Sequence, residues 1–220
     1  MNMDNTYEIN DSQRKFWLGE FGDFYINRNK TIEEVNELYE KETGFTVEQI
    51  FKKFFHNIDK KSKILELGCN VGLNLRVLQK MRFTNLYGVE LNKKAVDIAQ
   101  KNSKNITFIN SSIEDFEPNE TYDLVYTAGV LIHINPLSLD SIIKKIVNLT
   151  NRYIFGFEYY ADNLTEIKYR DYTNMCWKQN FPLLFKKLFP SLKIIEEEKF
   201  HYRKKNLTDI AYLLQKNIES

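Results

Sequence analysis

The sequence predicts a one-domain α/β protein built around a mainly parallel β-sheet. Short apolar runs alternate with helical patterns between residues 63 and 157, and a glycine-containing turn follows the first of these runs. Such alternation is typical of βαβ units, in which a helix connects two parallel strands. The length of 220 residues fits one domain with one substantial core.

Residues 1–60 precede this alternation and are predicted to be helical. Apolar residues recur there at helical spacing in two groups: Ile32, Val35, Leu38 and Tyr39, and then Val47, Ile50, Phe51, Phe54 and Phe55. Thr31 is expected to cap the first of these helices, because Glu33 and Glu34 follow it where the helix dipole favours acids. We therefore expect a helical N-terminal cap on the sheet.

The next hundred residues, 61–160, are predicted to form the core of the fold. Apolar runs indicate strands at residues 64–67, 86–89, 106–109, 122–126 and 153–157, with helices near 73–81, 95–99 and 142–147. A polar and aromatic stretch from Tyr159 to Trp177 leads into the last part of the chain, residues 161–220. This part then predicts a helix over 183–188 and two final strands over 192–200 and 209–214, which form an antiparallel C-terminal hairpin.

The composition excludes several classes of protein. Hydrophobic residues make up 43% and charged residues 28%, which excludes bulk disorder. The 31 Lys and Arg residues nearly balance the 30 Asp and Glu residues, so the net charge is +1. Because dedicated nucleic-acid binders carry a clear basic surplus, no nucleic-acid partner is expected.

The cysteines and histidines do not indicate a disulfide framework or a metal site. Cys69 and Cys176 lie far apart, and the three histidines are scattered without zinc-ligand spacing. The N-terminus has no apolar signal segment, and the longest apolar stretch, 124–134, is shorter than the ~20 residues of a membrane span. We expect a cytoplasmic protein without metal or membrane partner.

A glycine turn, residues 68–72, joins the first predicted strand to the first core helix. Backbone N–H groups at such a turn can bind a ligand, and glycine allows its close approach. The dinucleotide fingerprint G-x-G-x-x-G fails at Asn70 and Leu73, which disfavours a nicotinamide oxidoreductase. The pattern acid-x-G-x-G-x-G fits Glu66, Gly68 and Gly72. It departs only at Asn70, and asparagine tolerates a left-handed φ.

An acid, Glu90, closes the second predicted strand 22 residues after Gly68. A carboxylate at this place can accept hydrogen bonds from both hydroxyls of an adenosine ribose. Ser112 and Ile113 follow the third predicted strand, where Ile113 is expected to lie against the adenine face. These positions together indicate an adenosine-containing cofactor.

In this order of motifs, residues 63–134 resemble the cofactor half of class I S-adenosylmethionine-dependent methyltransferases. Segments 112–114, 122–125 and 130–133 extend the resemblance beyond the glycine turn and Glu90. It implies a Rossmann-like class I methyltransferase fold and S-adenosylmethionine as the cofactor. It also implies these cofactor contacts: Glu66, Gly68, Asn70, Gly72, Asn74, Glu90, Leu91, Ser112 and Ile113.

A narrower resemblance begins in the segment 16–29, where glycines, a tryptophan and an Arg–Asn pair interrupt any amphipathic period. This segment is similar to the N-terminus of the pseudaminic acid biosynthesis-associated methylases. The likeness continues through 66–74, 88–96, 157–160 and 169–170, and it implies a role in bacterial surface-sugar synthesis. Trp17, Phe21 and Tyr25 are predicted to form a lid over the cofactor, and Arg28 is counted among the cofactor contacts.

Two residues are candidates for the chemistry of methyl transfer. The reaction is an in-line displacement, so the protein must align the reactants and exclude water. Open α/β sheets bind ligands beyond the carboxyl ends of their strands, where His133 follows strand four and Glu158 follows strand five. We expect His133 or Glu158 to orient or deprotonate the acceptor.

The acceptor itself is expected to contact the aromatic and basic residues after the fifth strand. The candidates are Tyr159, Tyr160, Tyr169, Arg170, His201 and Arg203. Arg170 and Arg203, together with Arg28, would bind phosphates if the acceptor were a nucleotide-linked sugar or another anionic metabolite.

The sequence thus predicts an O- or N-methyltransferase that acts on a small sugar-derived or phosphorylated metabolite, in surface-polysaccharide biosynthesis. Two alternatives stay open. One is a methyltransferase for RNA or protein, which the near-neutral charge disfavours. The other is a catalytically silent adenosine-binding partner subunit. The oligomeric state is not predicted.

Overall fold

The computed structural model describes residues 12–28 and 31–217. Residues 12–18 are helical. The α-helices that follow are α1 (Glu20–Ile26), α2 (Ile32–Thr43), α3 (Val47–Phe54), α4 (Leu73–Lys80), α5 (Lys93–Asn102), α6 (Pro136–Leu149) and α7 (Phe181–Leu188). A short 3-10 helix spans Leu131–His133. The strands are β1 (Lys63–Leu67), β2 (Asn85–Glu90), β3 (Ile106–Asn110), β4 (Tyr122–Ala128), β5 (Thr150–Tyr159), β6 (Thr165–Glu166), β7 (Trp177–Lys178), β8 (Lys193–His201) and β9 (Thr208–Gln215).

One seven-stranded sheet organises the molecule, in the order β3-β2-β1-β4-β5-β9-β8. Neighbouring strands from β1 to β5 are parallel, whereas β9 runs antiparallel to both β5 and β8. The predicted α/β fold with a mainly parallel sheet and an antiparallel C-terminal hairpin is confirmed. Because β1 to β5 are parallel, their carboxyl ends meet at one edge of the sheet.

The predicted helical cap is also present in the described residues. Thr31 and Glu34 form a capping box at the start of α2, and Gly44 ends that helix with a left-handed φ of 92°. Thr46 and Gln49 form a second capping box at α3. The apolar faces of both helices are buried, so local capping and burial agree on where these helices lie.

The core consists of two apolar clusters. One includes α3 and α4 and contains Phe51, Phe55 and Phe155, whose rings contact one another. The other includes α6 and α7 and contains Phe185 and Tyr212, with ring centroids 6.0 Å apart. Helices thus pack against a sheet whose strands are strongly buried, as a parallel sheet requires.

The polar stretch after β5 has a structure that the sequence did not predict. β6 and β7 pair as a separate two-stranded antiparallel sheet, Thr165 with Lys178 and Glu166 with Trp177. Each strand has only two residues, which is too short for an alternating pattern to be visible. Both cysteines, Cys69 and Cys176, are free and buried.

No helix among the described residues is long and apolar enough to span a membrane. In the same part of the chain, no cluster of three or more His, Cys, Asp or Glu side chains is arranged to hold a metal ion.

Candidate active site

A cavity of about 540 Å³ lies at the carboxyl edge of β1, β2 and β4. This volume falls in the range of about 300–1,000 Å³ that is usual for small-molecule sites. Its walls come from five parts of the chain: the turn after β1, the loops after β2, β3 and β4, and the N-terminal segment with α2.

The glycine turn has the backbone conformation that the sequence predicts. Gly68, Asn70 and Gly72 have φ values of 72°, 48° and 75°, so all three are left-handed. A Cβ atom on Gly68 would lie 2.6 Å from Val130 Cγ2, which explains why this position lacks a side chain. Asn70 therefore replaces glycine at a place where asparagine is the tolerated alternative.

Glu90 holds the glycine turn and the next loop together. Its Oε2 accepts a hydrogen bond from the Asn70 N–H at 2.8 Å, and its Oε1 accepts one from the Asn92 N–H at 2.8 Å. Burial raises the pKa of Glu90, while these backbone donors lower it. Each carboxylate oxygen keeps a further lone pair toward the cavity that Glu90 lines.

Glu66 is a buried acid on the cavity wall. It is 1% exposed, and its Oε1 accepts a hydrogen bond from Asn74 Nδ2 at 2.8 Å. Its Oε2 is buried without a hydrogen-bond partner among the described residues. Burial raises the pKa of Glu66 to about 8, so the carboxyl group is mostly protonated at neutral pH.

The wall beyond β2 and β3 contains the other predicted cofactor contacts, Leu91, Ser112 and Ile113. The Ser112 hydroxyl accepts a hydrogen bond from the Asp115 N–H at 3.0 Å, which orders the turn after β3. Arg14 of the N-terminal segment pairs with Asp115 at 2.8 Å. The loop and the N-terminal segment are thus joined directly above the site.

The N-terminal segment, residues 12–28, covers the cavity. Trp17, Tyr25 and Arg28 all lie on the cavity wall. Asn92 Nδ2 donates to the Trp17 carbonyl at 3.3 Å and to Asp23 Oδ1 at 3.3 Å, which connects this segment to the start of α5. The position of the segment agrees with the expected lid.

His133 lies within a cluster of aromatic rings. Its ring centroid is 4.8 Å from that of Trp17 and 4.7 Å from that of Tyr169, both in edge contacts. Tyr25 contacts Trp17 at 5.3 Å. These rings form an apolar wall beside the cavity, with the imidazole as its polar member.

The tautomer of His133 follows from its hydrogen bond. Nδ1 lies 2.7 Å from the carbonyl oxygen of Met175, which can only accept, so Nδ1 carries the hydrogen. Burial lowers the pKa of His133 to about 4, so the ring is neutral at physiological pH. Nε2 is then unprotonated and can accept a hydrogen bond from a ligand.

Glu158 has a different place from the one predicted, and the structure corrects its assignment to the acceptor. It is buried (1% exposed) and is not on the cavity wall. Its Oε1 accepts from the N–H groups of Val130 and Leu131 at 3.2 Å, and Oε2 accepts from that of Ile132 at 3.4 Å. Glu158 therefore positions the turn that carries His133.

Three further predicted acceptor contacts lie away from the cavity. The Tyr160 hydroxyl donates to Asp162, and His201 Nδ1 bonds Thr208 Oγ1 at 3.0 Å within the β8–β9 hairpin. Arg203 packs its guanidinium group against Gly44. Each of these side chains is engaged elsewhere, so the structure does not support their predicted role in acceptor binding.

The remaining predicted acceptor contacts, Tyr159, Tyr169 and Arg170, are near the N-terminal segment. Tyr169 contacts the ring of His133, and Arg170 lies over the ring of Tyr25. Tyr159 pairs with Asp209 across β5 and β9. None of the three lies on the cavity wall, although Tyr169 and Arg170 contact aromatic rings that do.

Two groups of wall residues were not predicted from the sequence. Val35, Leu38 and Tyr39 of α2 line the cavity, although their helical spacing indicated only core packing. Gln13 also lines it: its Oε1 accepts from the Asn135 N–H at 3.0 Å, and its buried Nε2 has no partner within the described ranges. A single glutamine in a polar segment carries no motif that would have identified it.

Comparisons with known proteins agree with this geometry. Residues 64–152 match the family model described as "Methyltransferase domain". The ubiquinone biosynthesis O-methyltransferase of Rickettsia typhi is 27% identical over 157 residues, which cover 64% of this chain and 59% of that protein. The matched part thus spans about three fifths of the length of this relative.

Solved structures have the same fold over nearly the whole chain. Magnesium protoporphyrin IX methyltransferase from Synechocystis, with bound S-adenosylmethionine, has a TM-score of 0.70 at 15% identity and covers 95% of this chain and 97% of its own. The 1,6-didemethyltoxoflavin-N1-methyltransferase of Burkholderia thailandensis, with bound S-adenosylhomocysteine, has a TM-score of 0.71 at 12% identity and covers 96% and 90%.

Residues 64–152 thus match a methyltransferase domain, and the chain has the fold of solved S-adenosylmethionine-dependent methyltransferases. The predicted Rossmann-like class I methyltransferase fold is confirmed, and solved structures with this fold bind S-adenosylmethionine or S-adenosylhomocysteine. The narrower likeness to pseudaminic acid biosynthesis-associated methylases has no counterpart among these matches and stays a prediction.

Glu158→Ala should destabilise the protein by about 3 kcal/mol, because three buried backbone N–H groups lose their acceptor. Glu158→Gln keeps one acceptor oxygen, so it should cost about 1 kcal/mol and leave S-adenosylhomocysteine binding nearly unchanged. Urea denaturation measures both, with Glu197→Ala, an exposed strand acid, as the control. Equal stability of Glu158→Ala and the control would contradict the positioning role.

The His133 ring should stay neutral, with hydrogen on Nδ1, from pH 9 down to about pH 5, and should protonate near the pKa of about 4. Nitrogen-detected NMR of the imidazole rings reports both the tautomer and the titration. The His133→Gln variant assigns the signal. Protonation above pH 6, or hydrogen on Nε2, would show that the Met175 carbonyl does not set the tautomer.

Proposed function

We propose that this protein transfers the methyl group of S-adenosylmethionine to a hydroxyl or amine of a small molecule. The observation that carries the proposal is one cavity that joins the left-handed glycine turn and Glu90 to the neutral imidazole of His133. When bound, the cofactor supplies an electrophilic methyl group on a sulfonium.

The residues present fit this cofactor. Eight of the nine contacts that the resemblance implies lie on the cavity wall: Glu66, Gly68, Asn70, Asn74, Glu90, Leu91, Ser112 and Ile113. The ninth, Gly72, is in the same turn but packs closely against Phe108. Glu66 lies on the cavity wall and holds Asn74 through Oε1, while the buried Tyr126 hydroxyl lies close enough to Glu66 to lower its pKa. Gly68 permits the close approach of Val130 that closes the turn.

The chain's own residues would align the reactants and exclude water. Trp17 and Tyr25 cover the cavity, and His133 Nε2 can accept a hydrogen bond from an acceptor hydroxyl or amine. The neutral imidazole would orient the acceptor, and it would take the acceptor's proton as the C–S bond of the sulfonium breaks and the methyl carbon bonds to the acceptor oxygen or nitrogen. Glu158 holds the turn on which this ring depends.

The acceptor is proposed to be small because the site is a cavity of limited volume beneath the N-terminal segment. The sugar-derived or phosphorylated acceptor, surface-polysaccharide synthesis and cytoplasmic location remain finer predictions from the sequence. The aromatic wall of Trp17, Tyr25 and Tyr169 supports a ring-shaped acceptor, since sugar and planar rings both pack on aromatic faces.

Calorimetric titration tests the proposed cofactor. S-adenosylmethionine and S-adenosylhomocysteine should bind with micromolar affinity, and NAD should not bind, because Asn70 and Leu73 break the dinucleotide fingerprint. Glu90→Gln should weaken binding about tenfold through the loss of one charged acceptor. The exposed acid variant Glu117→Gln should match the wild type.

A folded protein that does not bind S-adenosylmethionine would refute the proposal. If the cofactor binds but a panel of small hydroxyl and amine acceptors gives no methylated product, the silent adenosine-binding subunit would be favoured. Methylation of RNA or protein in the same assay would favour the macromolecular alternative.

Binding of S-adenosylmethionine should release about one proton at pH 7. Glu66 is mostly protonated in the free protein because its pKa is raised to about 8, and a cation bound in the cavity favours its ionised form. Calorimetry in buffers of different ionisation enthalpy counts the protons. The release should vanish in Glu66→Gln and, in the wild type, as the pH rises above 8; equal heats in all buffers at pH 7 would contradict this.

A further inference from the structure

The tight turn of residues 169–172 contains Arg170 in a backbone conformation that is unfavourable for arginine. Tyr169 and Tyr172 exchange two backbone hydrogen bonds of 2.9 Å, and the two residues between them, Arg170 and Asp171, have φ values of 47° and 73°. A two-residue turn with both φ values positive favours Asn-Gly. An arginine at this place is a local conflict of the kind that is concentrated at functional sites.

The turn directs Arg170 over the aromatic wall. Its guanidinium carbon lies 5.7 Å from the ring centre of Tyr25, 5.8 Å from that of Phe24 and 6.0 Å from that of Tyr169. Tyr25 lines the cavity, so Arg170 stands at the rim of the candidate active site. Contacts with aromatic faces hold a guanidinium group without neutralising its charge.

Arg28 approaches the same tyrosine. Its Nη1 donates to the Tyr25 hydroxyl at 2.9 Å, and its guanidinium carbon is 5.5 Å from the ring centre. Within the part of the chain that the structure describes, no carboxylate forms an ion pair with Arg28 or Arg170, whereas nearby Arg14 pairs with Asp115. Two cations therefore converge on one aromatic ring without an acidic partner.

We propose that Arg28 and Arg170 form one anion subsite that holds a carboxylate or phosphate of the methyl acceptor. This inference rests on the proposed function and narrows it to acceptors that combine a ring with an anionic group. The guanidinium fork donates two parallel hydrogen bonds to an oxyanion, which a tyrosine-lined rim alone cannot supply. The aromatic wall would hold the ring, and the two arginines would fix its orientation toward His133.

The test uses the full chain saturated with S-adenosylhomocysteine. Phenyl phosphate, benzoate and glucose 1-phosphate are titrated against their neutral counterparts phenol, benzyl alcohol and glucose, with calorimetry and the fluorescence of the two tryptophans, Trp17 and Trp177, as readouts. At least one anionic probe should bind about tenfold more tightly than its counterpart, since charge-assisted hydrogen bonds add to ring packing. If all three pairs bind equally, or if no anionic probe binds, the subsite is refuted.

Matched variants locate the anion. Arg170→Met should weaken the anionic probe about tenfold, and Arg170→Lys should weaken it less, because it keeps the charge and loses the fork. Arg152→Met is the control: its guanidinium carbon lies 4.9 Å from the Tyr153 ring, away from the cavity. Equal effects of Arg170→Met and Arg152→Met would overturn the proposal.

The carboxylate of the cofactor is the other oxyanion that these arginines could bind. Arg28→Met and Arg170→Met should therefore also be titrated with S-adenosylhomocysteine alone, where Arg170→Met should leave its affinity unchanged. Loss of cofactor affinity in both variants, without a change for the anionic probes, would assign the subsite to the cofactor and refute the acceptor proposal. Absence of cofactor binding by the wild type would instead refute the proposed function itself.

Discussion

The site depends on one half-buried carboxylate that joins two loops. Glu90 accepts the N–H of Asn70 from one loop and that of Asn92 from the next, each at 2.8 Å. Gly68 and Cys69 donate to the Val89 carbonyl just before it, so the glycine turn is fixed to the end of β2. Removing this acid would leave two backbone donors unpaired, and the two loops would lose the side chain that fixes them to the end of β2.

Buried acids are used in the same way at the other end of the cavity. Glu158 accepts three backbone N–H groups from the turn that carries His133, and Glu66 holds Asn74 on the first turn of α4. Burial raises the pKa of Glu158 to about 7 and that of Glu66 to about 8, because it disfavours the charged form of each carboxyl group. The hydrogen bonds from these donors offset part of the free-energy cost of that burial. Acids from β1, β2 and β5 therefore order the loops that form the site, in addition to the contacts that join these loops to the N-terminal segment.

The sequence predicted the sheet, the cap and the cofactor side because these depend on local rules. Asn70 is compatible with a left-handed turn, and Thr31 caps α2 as its neighbours indicate. The acceptor side could not be predicted in the same way. Whether Glu158 faces a ligand or a backbone turn depends on tertiary packing, and Gln13 reaches the cavity only because residues 12–28 fold back over it.

The contacts of the N-terminal segment control access to the cavity. Arg14, Gln13 and Asp23 each connect this segment to a different loop, through Asp115, Asn135 and Asn92. A molecule in the cavity would lie beneath the segment, so these three contacts, of which only the Arg14–Asp115 pair is exposed, would have to break before it could leave. Under the proposed function, spent cofactor would be exchanged only after these contacts open, so the lifetime of the closed segment would set an upper limit on the turnover rate.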